Sequence, residues 1–293
     1  MRWEKLRRSQ NIENRRGQRM ARRPAAAGGG CSIILLLVLA LIFKVNPLEL
    51  LSEGGLESDQ QSSQHQSATE SGEMNDYVAA VLGSTEQEWA HIFRQYNRSY
   101  RTANLINYSG STHMKSGGFA KAATGPFYVP TEETIYLDTD FFYQLRQMSR
   151  DQTHDYDFAP AYVIAHEVAH HVQKLLGYTD LVHGVRGRVS QKEYNQRSVR
   201  LELQADFLAG VWAHHADKRM LATQGHSLLE SGDIEEAMLA AQAIGDDALS
   251  RGRTPPDSFT HGTSKQRLRW FMKGFNSGDP NQSNTFEIPY NQL

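Results

Sequence analysis

The chain has a single cysteine, Cys31, in 293 residues. That excludes a disulfide within the chain and leaves stability to the core and to any metal held. Neither charge sign is in large excess: 31 Lys and Arg against 33 Asp and Glu give a net charge of −2. This excludes a global field that would draw the chain to nucleic acid. No long apolar run is present either. The longest extends from Ile33 to Phe43, whereas a bilayer core needs about 20 mostly apolar residues. Internal repeats are absent, which excludes solenoid architectures.

The balance of charge hides a local imbalance. Residues 1–30 hold nine cations, Arg2, Lys5, Arg7, Arg8, Arg15, Arg16, Arg19, Arg22 and Arg23, against Glu4 and Glu13. From Val45 to Phe93 there is no Lys or Arg at all, and nine Asp or Glu. Between these blocks the apolar run continues past Lys44, which can snorkel, to Val45, Leu48, Leu50 and Leu51. The positive-inside rule reads this as an uncleaved single-pass anchor over residues 31–51 in the cytoplasmic membrane. A basic cytoplasmic tail over 1–30 would precede it, the lipid bilayer would be a partner, and everything after residue 50 would lie outside. A buried core helix and a cleaved signal peptide are the alternatives. No small-x-small site follows the run, and three glycines precede Cys31 where a lipid-modified cysteine needs apolar residues.

Residues 52–74 are rich in Ser, Gln and Glu and read as a flexible linker, which starts the folded domain near Asn75 and extends it over 75–293. There "DYVAAVL" suggests a short helix, and Ser84 or Thr85 can cap a second one carrying Trp89, Ile92, Phe93 and Tyr96. "NLINYSG" reads as a strand. Phe127 to Val129 and Thr134 to Leu137, joined by "PTEE", read as a hairpin or two sheet-edge segments, with Pro130 favouring an edge. Helical patterns cover about 140–149, 160–176, 192–215, 217–230, 233–251 and 263–276. The class is α+β with helices dominating.

Chemistry concentrates in "AYVIAHEVAHHVQKLLG", a helix that Pro160 can start and Gly177 can end. His166 and His170 are four apart and share a face, and Ile164, Val168, Val172 and Leu175 form a separate apolar stripe. In "RLELQADFLAGVWAHH", Glu202 and Asp206 are also four apart, beside the small residues Ala205, Ala209, Gly210 and Ala213, which allow close helix approach. Two histidines and one carboxylate make the open three-ligand set of a catalytic zinc. His166, His170 and Glu202 are the candidate ligands, and Asp206 can fix a ligand histidine by accepting from its free nitrogen. Glu167 can take the proton of water whose pKa the ion lowers to about 7. His261, beside Gly262 before a helix, is a candidate second group for an oxyanion, with an exposed loop histidine or helix cap as its alternative. His171, His183, His214 and His215 read as surface or supporting residues. "SKQRLRWFMKGF" carries Leu268, Phe271, Met272 and Phe275 at helical spacing, so it reads as a packed helix with a solvated basic face and not as a nucleic-acid site.

These segments resemble the gluzincin branch of zinc metallopeptidases, through "HEVAH" and "ELQAD". More closely, the chain is similar to a neutral zinc metallopeptidase family of bacterial membrane-anchored proteins, through "MRWEKLRRSQNIENRR", "GPFYVP", "IYLDTDFF", "HEVAHHVQ", "ELQADFLAGVWA" and "DSFTHGTSKQRLRWFMKGFNSGDP". The resemblance implies a mainly helical zincin-like domain with a small antiparallel sheet, zinc, an envelope location and hydrolysis of peptide or protein substrates. One departure stands out: the relatives' two cysteines around "GPFYVP" are Gly117 and Val129 here. A membrane-anchored metalloendopeptidase is the expected function, with the peptide arriving as a strand against an edge such as Thr134 to Leu137. A non-catalytic envelope binding or scaffold protein retaining a zinc site is the rival. It has no need of Glu167, and a structural zinc usually has four protein ligands.

Overall fold

The structure, a computed structural model, describes residues 1–17, 68–142, 157–243, 245–250 and 253–293. Helix α1, Ala68–Gln95, is continuous where two helices are expected, and it begins inside the expected linker. Gly83 does not break it. A Cβ at Gly83 would fall 2.1 Å from the Arg7 carbonyl oxygen, so this glycine is where the N-terminal segment crosses the helix. The Ser84 and Thr85 hydroxyls do not cap. Ser84 Oγ accepts from Trp212 Nε1 at 3.1 Å, and Thr85 Oγ1 donates to the Leu82 carbonyl at 2.7 Å.

Residues 1–17 are part of the folded body and not of a separate tail. Strand β1, Ile12–Asn14, pairs in parallel with β2, Asn104–Tyr108. The Ser9 N–H donates to the Ala79 carbonyl at 2.8 Å and the Arg2 N–H to the Leu228 carbonyl at 2.9 Å. The Met1 ammonium lies 2.8 Å from Asp157 Oδ1 and 3.0 Å from Glu230 Oε2, with Asp233 beside it. The rest of the expected tail, the anchor over 31–51 and the linker up to residue 67 lie outside the described residues. Among the described residues, no helix is long and apolar enough to cross a membrane.

Strands β3, Ser111–His113, and β4, Phe119–Lys121, form a separate antiparallel hairpin. The main sheet contains β5, Phe127–Val129, and β6, Thr134–Asp138, in the order β1-β2-β6-β5. It is mixed, which corrects the antiparallel expectation: β1–β2 and β2–β6 are parallel, and only β5–β6 is antiparallel. The turn after Pro130 places β5 on one side of β6. The other side of β6 is then free to meet β2, which runs the same way.

Helix α2, Phe158–Leu176, ends at Gly177 with φ +88°. Its first N–H donates to Glu236 Oε2 at 3.0 Å. After the short α3, Tyr178–His183, the 34-residue α4, Gln191–Gln224, replaces the two helices expected over 192–230. Nothing at Ala216 interrupts it, and Gly225, with φ +77°, stops it. Helices α5, Asp233–Ala243, α6, Asp246–Leu249, and α7, Ser264–Ser277, complete the body. The helix expected over 140–149 lies mostly outside the described residues.

Helices α4 and α7 cross through two glycines. A Cβ at Gly274 would lie 1.9 Å from the Phe207 carbonyl oxygen, and one at Gly210 would lie 2.2 Å from that of Phe271. Around the crossing, Trp212 stacks on Phe158 with centroids 6.2 Å apart, and Tyr162 meets Phe271 edge-on at 5.3 Å. All four rings are buried, and each contributes about 1.5–3 kcal/mol through burial. This contact fixes α2, α4 and α7 against one another.

Candidate metal centre

Helical spacing puts His166 and His170 one turn apart on α2, and the close crossing brings α4 up to them. Their imidazole centroids are 4.7 Å apart. His166 Nε2 lies 3.2 Å from Glu202 Oε2, and His170 Nε2 lies 3.6 Å from Glu202 Oε1. One ligand atom from each residue falls within 4.8 Å of the others. Donors bound to one tetrahedral zinc at 2.0–2.2 Å stand about 3.3–3.6 Å apart, and the His–Glu202 separations of 3.2 and 3.6 Å are of that size, so two histidines and a carboxylate fit zinc in donor type and in spacing to Glu202. The helix is buried well beyond the expected apolar stripe: His166 and Glu167 are themselves buried, while His170 and Glu202 are half-buried and open the site to one side.

Both Nδ1 atoms are held from behind, which orients each ring with its Nε2 toward Glu202, the side on which a metal would be held. His166 Nδ1 donates to Asp206 Oδ1 at 2.8 Å. His170 Nδ1 donates to Gln173 Oε1 at 2.9 Å, and Gln173 Nε2 donates to the Leu201 carbonyl at 2.6 Å and to Gln204 Oε1 at 3.0 Å. Asp206 is anchored in turn. The Tyr162 hydroxyl donates to its Oδ1 at 2.6 Å, and Arg267 donates from Nη2 to Oδ1 at 2.8 Å and from Nε to Oδ2 at 2.9 Å. Helix α7 therefore contributes a buried cation, Arg267, where its sequence suggests a solvated basic face.

The electrostatics follow this arrangement. Burial pushes the Glu167 carboxyl above its usual range, against the pull of His170 and His166. Burial would also raise Glu202, but the His170 charge and hydrogen bonds from both histidines hold it well below the carboxylate range. His166 is lifted to about 9 despite burial, because Asp206 favours its protonated form.

His261 stands in the loop before α7, 3.1 Å from Asp246 Oδ1 through its Nδ1. The other Asp246 oxygen accepts the backbone N–H groups of Thr260 at 2.7 Å, His261 at 2.7 Å and Gly262 at 3.1 Å. Asp246 thus fixes the loop and the ring together. The His261 pKa is raised: burial lowers it, but the Asp246 hydrogen bond and the Glu202 charge outweigh burial.

His171, His214 and His215 are structural. His171 is fully buried, between Tyr128 Oη at 2.9 Å and the Arg101 carbonyl at 2.7 Å. His214 and His215 bond the Phe275 and Gly278 carbonyls at the end of α7. The expected docking edge is corrected: β6 is an inner strand, buried at all five positions, whereas β5 is the edge. Tyr162, four residues before His166, and Gln173, three after His170, are visible in retrospect as helical neighbours. Asp246 and Arg267 carry no such signal.

Relatives include the Escherichia coli K12 protein named "Uncharacterized protein YpfJ", 43% identical over 98% of this chain and 99% of its own length. The Mycobacterium bovis "Uncharacterized protein Mb2605" is 39% identical over 71% of this chain and 69% of its own. No solved structure matches. A model of the family described as "Putative neutral zinc metallopeptidase" matches residues 1–286, from the paired N-terminal segment through the last helix, and the chain belongs to that family.

Proposed function

We propose that the protein is a zinc-dependent endopeptidase with His166, His170 and Glu202 as metal ligands and Glu167 as general base. The observation that carries this reading is the convergence of two Nε2 atoms on one carboxylate, 3.2 and 3.6 Å away, with both Nδ1 atoms anchored from behind. A zinc ion held there supplies the Lewis acid that makes water nucleophilic near neutral pH. Glu167, raised by burial, accepts the proton of the attacking water and passes it to the leaving amine. His261, oriented by Asp246, donates to the carbonyl oxygen as it becomes an oxyanion.

Substrate positioning falls to β5. Its outer edge is free among the described residues, and the Tyr128 hydroxyl ties it to His171, the neighbour of ligand His170. An extended peptide pairing with Phe127–Val129 would run alongside α2. The test compares wild type, Glu167→Gln and His170→Ala for zinc content by elemental analysis and for cleavage of a peptide library. About one zinc per chain in wild type and Glu167→Gln but not in His170→Ala, with cleavage by wild type alone, is expected. Equal cleavage by wild type and Glu167→Gln would remove Glu167 from the mechanism. A full zinc complement with no cleavage of any peptide would favour the scaffold reading.

A further inference from the structure

A second group of acidic side chains lies at the start of the metal-bearing helix, and it holds a cation. The Met1 side chain is fully buried, and its ammonium lies 2.8 and 2.9 Å from the two Asp157 oxygens, 3.0 Å from Glu230 Oε2 and 3.3 Å from both oxygens of Asp233. Glu236 adjoins them and accepts the Phe158 N–H at 3.0 Å. Asp157, Asp233 and Glu236 each bring one carboxylate oxygen within 4.8 Å of the others. Two helices begin here: Asp157 precedes the first residue of α2, and Asp233 is the first of α5. Negative charge is favoured at both positions by the helix dipoles.

The surroundings hold the amine in place. The Arg2 N–H donates to the Leu228 carbonyl at 2.9 Å and Arg2 Nη1 to the Ser227 carbonyl at 3.0 Å. Trp3 meets Tyr77 edge-on at 5.4 Å, and the Tyr77 hydroxyl donates to the Asp157 carbonyl. Burial alone would lower the Met1 amine, but the Asp157 hydrogen bond and the surrounding carboxylates lift it to about 10, so it stays charged. Burial raises the Asp157 and Asp233 carboxyls, and the ammonium pulls them back. An ammonium brings a full charge and three N–H donors. A formyl or acetyl group on that nitrogen, or a peptide bond to a preceding residue, leaves a neutral amide with one donor.

We propose that Asp157, Glu230 and Asp233 form a receptor for a free α-ammonium group, filled by Met1, and that acylation of this amine releases residues 1–9 and the start of α2. The Met1 nitrogen is thus a modification site that acts on the metal-bearing helix from its N-terminal end. The inference is independent of the peptidase reading.

The test compares the full chain beginning at Met1 with the same chain carrying Gly-Ser before Met1. Mass spectrometry of the first should show Met1 present with an unmodified amine. A folded protein that has lost Met1, or that holds an acyl group there, would overturn the proposal. In the extended chain, hydrogen exchange at the Arg2, Ser9 and Phe158 amides should be about 100-fold faster or more, the factor by which breaking a buried ion pair raises the open population. Exchange equal in the two chains would overturn it. Asp157→Asn with Asp233→Asn should produce the same release in the chain beginning at Met1, and adding Gly-Ser to that variant should change little further. Effects of the extension and the substitutions that simply multiply would show that the carboxylates do not read the amine. A thermal midpoint of the Met1 chain raised by millimolar calcium would mark the cluster as a metal site and overturn the amine assignment. Zinc content and peptide cleavage enter none of these measurements, so failure of the peptidase reading stays distinct.

Discussion

Replacing Arg267 with methionine keeps most of the side-chain stem and removes the guanidinium from a pocket where only 2% of the side chain is exposed. Asp206, with a side-chain exposure of 0%, would keep the Tyr162 hydroxyl and His166 Nδ1 but lose both guanidinium bonds, leaving a buried carboxylate under-compensated. Removing one partner of a buried ion pair costs about 3–5 kcal/mol. Against a typical domain stability of about 5–15 kcal/mol, that is a large fraction. Urea unfolding of the metal-free protein, followed by fluorescence of buried Trp89, Trp212 and Trp270, reads the loss directly. With a slope of about 2 kcal/mol per molar urea, the midpoint should fall by about 1.5–2.5 M at unchanged slope. Arg267→Met combined with Asp206→Asn should recover part of it, because no uncompensated charge is then buried. A loss below about 1 kcal/mol, the size of an exposed pair, would refute the assignment of Arg267 as the buried counter-ion of Asp206.

Asp206→Asn alone should weaken zinc binding by about 10–100-fold, read by competition with a chelator; unchanged affinity would contradict the anchoring of His166. Gly274→Ala should cost about 1–3 kcal/mol or more through overpacking against the Phe207 carbonyl, measured as a lowered thermal midpoint. A midpoint equal to wild type would show that the crossing has room to relax. In an NMR titration of the metal-free protein, His261 should titrate above 6.5, and Asp246→Asn should lower its pKa because burial then acts with less opposition. The linked stability follows by sign. The His261 contribution is fully present below 6.5 and is lost as pH rises through its higher folded value. The Asp246 contribution is present above 3.8 and is lost as pH falls through its lower folded value.

The ligand pairs are legible in sequence because four-residue spacing on a helix fixes a shared face, whatever the helix packs on. For the same reason α2 and the dominance of helices are foreseeable. The arrangement behind the ligands is less so. Arg267 lies among basic residues that individually suit solvent, and only the depth of the Gly210–Gly274 crossing buries it against Asp206. The extent of α4 depends on Gly225 as its stop, while a break at Ala216 has no physical cause. The N-terminal segment is the largest difference. A cation-rich stretch before an apolar run carries the same pattern whether its cations face cytoplasm or, as Arg2, Arg8 and Arg16 do, pair with Glu230, Asp76 and Asp140, and a three-residue strand such as β1 is too short to show periodicity.

Strand β1 also sets a timetable for synthesis. Ile12 leaves the ribosome early but its partner Leu105 is 93 residues away, and Arg2 Nη1 bonds the Ser227 carbonyl across a separation of 225. At about 5–20 residues per second, Arg2 waits roughly 10–45 s for that carbonyl. Until then the first segment, with Arg2 not yet joined to Ser227 and Glu230, is available to chaperones or to anionic surfaces. The β1–β2 pairing thus waits for Leu105 and the Arg2 contact for Ser227, so the start of the chain docks in two stages, the second after most of the chain is made.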